Sequence, residues 1–165
     1  MPASGVASTG ARSQGLRGRA RRHAVRMRIP TYEESTATPL TTPVLIEERV
    51  RALIGRACRT QLWFLFLDEN QVQLPVVMPI ADLPADPNDS VHDLARFISH
   101  TVDELAARSV IVVIERYASS GLTATDLAWA RGLHSAFDGA AVELGGILLS
   151  HNRGVRWVAQ DDYRY

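Results

Sequence analysis

The fold is decided by residues 109–115, which read SVIVVIE. Five consecutive residues of this segment are β-branched and apolar, a composition typical of a strand that is buried on both faces. Such strands lie in the middle of sheets whose two faces are both covered by other elements. The segment therefore predicts the central strand of an α/β domain, with Ser109 and Glu115 at its ends.

The segments on either side of this strand alternate between helical and extended patterns. Apolar residues at helical spacing predict three helices, which begin at Val44, Ser90 and Thr123. Extended apolar patterns predict four more strands, at residues 61–67, 71–80, 144–150 and 155–158. Short turns make a hairpin at each end, and Pro75 and Pro79 indicate an edge position or a bulge. The predicted order is α-β-β-α-β-α-β-β, a mixed α/β sheet in a single layered domain.

Two of the helix starts carry the spacing of a capping box, in which a hydroxyl residue is followed three positions later by an acid. Ser90 with Asp93 is one pair, and Thr123 with Asp126 is the other. In such a pair each side chain accepts a hydrogen bond from a backbone amide of the first turn. The sequence therefore assigns Asp126 a structural role before any chemical one is considered.

The glycine pattern is weak as a functional signal. Gly145 and Gly146 lie in a predicted strand, where a bulge or a close backbone approach is the usual cause. The chain has neither the glycine spacing of a dinucleotide-binding turn nor a Walker phosphate loop. Nucleotide binding by those two routes is therefore disfavoured.

Composition sets the broad class of the protein. A chain of 165 residues suits one domain of ordinary size. Cys58 is the single cysteine, so no disulfide within the chain can form, and no stretch has the length of a membrane helix. These features predict a cytoplasmic protein that does not insert into membranes. All eighteen basic residues are arginine, a usage typical of a GC-rich bacterial genome.

The charges are divided unevenly along the chain. Residues 1–28 hold seven arginines and no acid, whereas the rest of the chain holds eleven arginines and eighteen acids. Residues 1–43 also contain few large apolar groups, which predicts a disordered arginine-rich tail. The globular domain is predicted at residues 44–158, followed by a short C-terminal tail at residues 159–165.

The basic tail is open to three interpretations. Met27 stands just before the change in composition, so residues 1–26 fit upstream DNA translated from a misassigned start. The tail also fits an inert extension. Alternatively, the tail binds nucleic acid. The phosphate contacts would then be made by Arg17, Arg19, Arg21 and Arg22.

Polar residues that could carry chemistry follow the central strand. Glu115 and Arg116 end that strand, and ligands of α/β sheets collect outside the carboxyl ends of strands. Pairing with neighbouring groups is the simpler role for both. A serine nucleophile would need a nearby base, and no histidine is adjacent in sequence to the loop serines. The candidate binding residues are Glu115, Arg116, Ser119, Ser120, Asp126 and His134, without a complete catalytic or metal-binding set.

One segment carries a family resemblance. Residues 120–126 read SGLTATD, and with the layout from Leu62 to Val158 they resemble the JAB/MPN metallo-isopeptidase fold in its bacterial RadC-like form. The resemblance implies a zinc site made by a His-x-His pair and an aspartate at Asp126, with a glutamate on an earlier strand as general base. The histidine positions hold Val113 and Glu115 in one register and Arg116 and Ala118 in the other. Gln71 and Gln73 stand where the glutamate is sought.

The resemblance therefore implies a degenerate member of that family, without the metal ligands. Members of that kind typically serve as scaffolding or binding subunits. We favour a non-catalytic binding or scaffold domain for an unknown protein or small ligand, without cofactor. The alternative is a small-molecule hydrolase whose site lies near Glu115, Arg116, Asp126 and His134. Nucleic-acid association through the tail is a third hypothesis.

Overall fold

The computed structural model describes residues 37–140 and 142–164. Most of the predicted tail lies outside these residues, including Met27 and the arginines assigned to nucleic-acid binding. The helices are α1 (Pro43–Leu53), α2 (Ser90–Glu104), α3 (Ala124–Gly139) and α4 (Gln160–Tyr163). The strands are β1 (Gln61–Leu67), β2 (Gln73–Ala81), β3 (Ser109–Glu115), β4 (Glu143–His151) and β5 (Gly154–Trp157). The predicted α/β class and element order are confirmed, with α4 as an additional short helix.

The strands form one mixed sheet in the order β2-β1-β3-β4-β5. The segment 109–115 is the central strand, as predicted, and every residue in it is buried. It pairs antiparallel with β1 and parallel with β4, while β1–β2 and β4–β5 are the two predicted hairpins. The parallel pairing brings the carboxyl ends of β3 and β4 to the same edge of the sheet.

Both faces of the sheet are covered by helices. Successive apolar side chains of β3 point to opposite faces, so each face has apolar surface to bury. One face packs against α2 and α3 around large side chains such as Phe64, Ile98 and Phe137. The other packs against α1, where Val50 meets Leu65 and other strand residues. No helix in the described chain is long and apolar enough to cross a bilayer.

The second strand occupies the position that its prolines indicate. β2 lies at the edge of the sheet, and its register against β1 shifts between the pairs Leu65–Val77 and Leu67–Gln73. Pro75 falls inside that irregular stretch. A proline cannot donate a ladder hydrogen bond, so it is tolerated at an edge or a bulge, and β2 offers both.

Of the two predicted capping boxes, only the second forms. Thr123 and Asp126 make the reciprocal pair at the start of α3. The box at Ser90 was wrong: Asp89 is the N-cap of α2, and Ser90 Oγ donates to the carbonyl of Pro87 instead. The local turn at residues 86–89 supplies that carbonyl, and it competes for the hydroxyl on which the capping box depends.

The packed residues extend beyond Val44 and Val158. Leu40 is only 2% exposed and lies under the α1 side of the sheet. In α4, Tyr163 is also 2% exposed, and its carbonyl accepts a hydrogen bond from Arg131 Nε of α3 at 2.9 Å. The fold therefore includes residues that the sequence analysis placed in its flanking tails.

Candidate functional site

The carboxyl end of β3 presents two charged residues to opposite sides of the sheet. Successive side chains of a strand alternate between faces, so Glu115 and Arg116 point apart. Glu115 lies on the side of β1 and the loop that follows α1, whereas Arg116 reaches the start of α3. The carboxylate and the guanidinium therefore lie on opposite sides of the sheet, at the edge where α/β sheets usually bind ligands.

Glu115 is a buried carboxylate with four hydrogen-bond donors. One oxygen accepts from the backbone amides of Cys58 and Arg59, at 2.8 and 3.2 Å. The other accepts from Gln61 Nε2 and Trp63 Nε1, at 2.6 and 2.8 Å. Burial raises the pKa of this carboxyl, but the four donors together outweigh burial and hold the pKa below its ordinary value of 4.5. The group is therefore an ionised anchor for the loop at residues 55–60.

Arg116 forms an ion pair with Asp126, and both side chains are nearly buried, at 11% and 3% exposed. Its Nε lies 2.9 and 2.8 Å from the two carboxylate oxygens. One terminal nitrogen donates to the carbonyl of Ser119 at 3.1 Å, and the other donates to the carbonyl of Gly121. Each nitrogen of the guanidinium therefore has an acceptor within the chain.

Asp126 also closes the start of α3. Its Oδ2 accepts from the amide of Thr123 at 2.7 Å, while Thr123 Oγ1 accepts from the amide of Asp126 at 3.2 Å. The carboxylate thus serves as cap and as ion-pair partner at the same time. A carboxylate with these donors is held in one orientation, and it faces the guanidinium rather than an incoming group.

The two candidate serines accept hydrogen bonds from arginine side chains through their backbone carbonyls. The carbonyl of Ser119 accepts from Arg116, and that of Ser120 accepts from Arg156 Nη1 at 3.2 Å. The loop at residues 117–122 is therefore tied to the guanidinium of β3's end and to an arginine of β5. These bonds give the serines a role in shaping the loop.

His134 lies apart from this group. It stands eight residues beyond Asp126 on α3, about 12 Å along the helix axis at 1.5 Å per residue. Its ring packs edge-on against Tyr163, with ring centroids 5.7 Å apart. The structure thus brings Arg116 and Asp126 together, places Glu115 on the opposite side of the strand end, and leaves His134 against α4.

A cleft of about 300 Å³ opens beside the ion pair, between the end of β3, the start of α3 and the loop after β2. We call it the neutral cleft, because the three charged residues that also line it, Glu115, Arg116 and Asp126, are each bonded to groups within the chain. Its apolar lining consists of Leu83, Pro84, Ala85, Ile114 and Trp129, and its uncharged polar lining of Thr60, Thr123 and Thr125. Trp129 Nε1 donates to the carbonyl of Pro84 at 3.1 Å, which fixes the indole against the cleft wall.

A zinc ion does not fit the residues at this position. Asp126 holds the guanidinium of Arg116 with both carboxylate oxygens, where a metal would have to bind. Of the residues at the predicted histidine positions, Val113 is buried in the core on the α1 side and Glu115 is held by its four donors. In the part of the chain that the structure describes, no three histidine, cysteine or acidic residues are grouped to hold a metal ion.

The hydrogen-bond partners of Glu115 were not predicted from the sequence. Gln61 pairs with Glu115 in the register of β1 and β3, so the amide and the carboxylate end two adjacent antiparallel strands. The register depends on the tertiary structure. However, both polar residues stand at the boundary of an apolar run, and this shared position is the sequence signal from which their pairing could have been predicted. The amides of Cys58 and Arg59 carry no such signal, since any residue supplies them.

Neither a scan against models of protein families nor a search of curated proteins found a match to this chain. We therefore infer its function from the residues of the site.

Proposed function

We propose that this chain is a non-catalytic binding module, and that the neutral cleft is its binding site. The observation that carries the proposal is that every nitrogen of Arg116 and both carboxylate oxygens of Asp126 are bonded within the chain. Arg116 donates to both oxygens of Asp126 and to two loop carbonyls, so the two charges of this pair are already matched. A general acid or base needs a group that can exchange a proton with a ligand, and these groups are committed to the fold.

The lining of the cleft favours an uncharged and partly apolar ligand. Leu83, Ile114 and Trp129 offer apolar surface, and the three threonines offer hydroxyls for a small number of hydrogen bonds. A charged ligand would lose hydration there, because the pair of Arg116 and Asp126 is closed and the carboxylate of Glu115 already has four donors. The volume of about 300 Å³ suits a small molecule or one to two side chains of a partner protein.

We also retain the family hypothesis as a proposal, namely that the chain is a metal-free JAB/RadC-like domain. The support for it lies in Asp126, which the resemblance assigns to a metal-ligand position. A guanidinium would stand there in place of the metal cation, and it would preserve the charge balance at the helix start. Scaffolding or binding is what the resemblance implies for a member of that kind.

The proposal is tested by titrating the full-length chain with a library of neutral apolar fragments, followed by two-dimensional NMR. We expect fragments to shift the indole resonance of Trp129 and the amide resonance of Thr125, because both residues line the cleft. The variant Ala85→Trp places a large ring at the exposed mouth of the cleft and should abolish these shifts. The matched control Ala52→Trp, at an exposed position of α1, should leave them unchanged.

Two outcomes would overturn the proposal. One is a set of fragments that shift resonances elsewhere on the domain and leave Trp129 and Thr125 unmoved. The other is stoichiometric zinc in the purified protein that is lost in Asp126→Asn, because a bound metal would require Arg116 to release that carboxylate.

A further inference from the structure

A second cleft, of about 450 Å³, lies between the end of α1 and the turn that joins β4 to β5. We call it the basic cleft, because its lining includes Arg51, Arg56, Arg153 and His151. The remaining lining residues are Gly55, Gly154 and Val155, so no acid contributes to the wall. The described chain as a whole has more acids than arginines, which makes this concentration of cations a local feature.

The walls of the basic cleft are fixed to each other by hydrogen bonds. Ser150 Oγ donates to the carbonyl of Gly55 at 2.8 Å, and the amide of Ala57 donates to the carbonyl of His151 at 3.1 Å. The next amides of the same loop, those of Cys58 and Arg59, are held by Glu115. The loop that carries Arg56 is therefore tied to β4 and β3 at successive positions, so the cleft is formed before any ligand arrives.

The arginines of the basic cleft differ in how far they are already paired. Arg51 makes an ion pair with Glu47 one turn earlier on α1, at 2.6 Å. Arg56 and Arg153 are exposed, and neither side chain has an ion-pair or hydrogen-bond partner among residues 37–140 and 142–164. These two residues thus line one cleft from two segments, the loop after α1 and the β4–β5 turn.

The pKa of His151 is also affected by the positive charge around the basic cleft. Burial lowers the pKa of this imidazole, and the guanidinium groups of Arg116, Arg156 and Arg153 lower it further, while a contact with Asn152 opposes them. Charges that disfavour a proton on His151 favour an anion in the adjacent space. Gly154 adds room at the opening, since a side chain built there would meet no atom within 4 Å.

We propose that the basic cleft binds a small phosphorylated ligand, with Arg56 and Arg153 as the two groups that grip its phosphate oxygens. Guanidinium forks match the spacing of two phosphate oxygens and form bidentate, charge-assisted hydrogen bonds with them. Two such forks from two segments of one cleft suit a pyrophosphate or a similar multiply charged group. The inference does not depend on the ligand of the neutral cleft, because the two clefts share no lining residue.

The test is a titration of the full-length chain with inorganic pyrophosphate at constant ionic strength, followed residue by residue in NMR spectra. A site-resolved readout is needed because the seven arginines in residues 1–28 also attract polyanions. We expect saturable shifts of the Gly55 and Gly154 amides. In the double variant Arg56→Gln/Arg153→Gln the affinity measured at these amides should fall by about tenfold or more. Arg96→Gln is the matched control, because Arg96 is exposed and lies on α2, and it should bind as the parent chain does.

The remaining outcomes overturn the inference. Shifts at Gly55 and Gly154 that persist unchanged in the double variant would show that these arginines do not hold the anion. Shifts confined to the N-terminal arginines would place all anion binding outside the cleft. A single-stranded DNA oligonucleotide that shifts the two glycines while pyrophosphate does not would replace the small ligand by a polynucleotide.

Discussion

Glu115 shows how a residue that resembles a catalytic acid can be structural. It is 2% exposed, yet it is held ionised by four donors from the loop after α1 and from β1. Without those donors, burial alone would raise its pKa toward the range of a general acid. The protonation state of the carboxylate thus depends on neighbours that are 52 to 57 positions away in the chain.

The pKa of Glu115 leads to a prediction for stability against pH. The pKa in the folded chain lies below its ordinary value of 4.5, so the carboxylate stabilises the fold above that value. This contribution is lost as the pH falls below 4.5 and through the folded pKa. We expect Glu115→Gln to lower the free energy of unfolding by about 2–3 kcal/mol near neutral pH, because the amide group faces four donors. Urea unfolding from about pH 7 to about pH 3 should show the difference between parent and variant shrinking.

The control for this experiment is Glu143→Gln, which removes a carboxylate from an exposed ion pair with Arg108. That pair is screened by solvent, and its loss should change stability by about 1 kcal/mol or less. A Glu115→Gln chain as stable as the Glu143→Gln chain at neutral pH would contradict the anchoring role of Glu115.

At the scale of the elements, local patterns predicted most of the secondary structure. The apolar runs placed β1 and β3 at the residues where they occur, and the prolines of β2 predicted its edge position. Thr123 and Asp126 predicted the start of α3, because a capping box is a local arrangement. The helix α4 was missed, since four residues give no periodicity and its position depends on the contacts of Tyr163 with α3.

The candidate site could be predicted only in part, for a related reason. Arg116 was predicted from its position at the strand end and Asp126 from its position at the helix start. Their pairing depends on the path of the loop between them, which the sequence pattern does not give. Glu115 was found as a polar residue at the end of an apolar run, whereas its separation from Asp126 follows from the alternation of the strand. The basic cleft joins residues from α1 and the β4–β5 turn, about a hundred positions apart, which no local pattern connects.

The paired glycines of β4 illustrate an element whose geometry matched the prediction. The register between β3 and β4 shifts at Gly145, so one extra residue is accommodated there, and Gly146 adopts a φ of 150°. A side chain at Gly146 would place its Cβ 2.2 Å from Cζ3 of Trp157 on β5. The bulge that the sequence predicts as one alternative is thus present, and the group that closely approaches Gly146 is the indole side chain of Trp157.

We expect Gly146→Ala to destabilise the domain by about 2–4 kcal/mol, as the strained backbone and the overlap with Trp157 act together. Urea unfolding monitored by tryptophan fluorescence measures the change. Gly139→Ala is the matched control: its Cβ would meet nothing within 4 Å, and alanine suits the end of a helix. Equal stabilities of the two variants would contradict the close approach of β5 to β4.

At the scale of the whole molecule, both clefts lie at one edge of the sheet. β3 and β4 run parallel, and Glu115 is in register with Ser150, so the carboxyl ends of the two strands coincide. The amide of Arg116 donates to the carbonyl of Ser150 at 3.1 Å, which fastens these ends together. The neutral cleft lies on the α3 side of this edge and the basic cleft on the α1 side. One strand end therefore supports two clefts of different lining, both of which we propose as binding sites.

The ion pair between Arg116 and Asp126 is the closed internal contact on which the proposed function rests. A double-mutant cycle on the unfolding free energy tests that contact most directly. Arg116→Met and Asp126→Asn should each cost about 3 kcal/mol or more, because each leaves a buried partner without its counterpart. The double variant should be more stable than the sum of the single losses implies, by about 2 kcal/mol. Single losses below about 1 kcal/mol that add within about 0.5 kcal/mol would contradict the account.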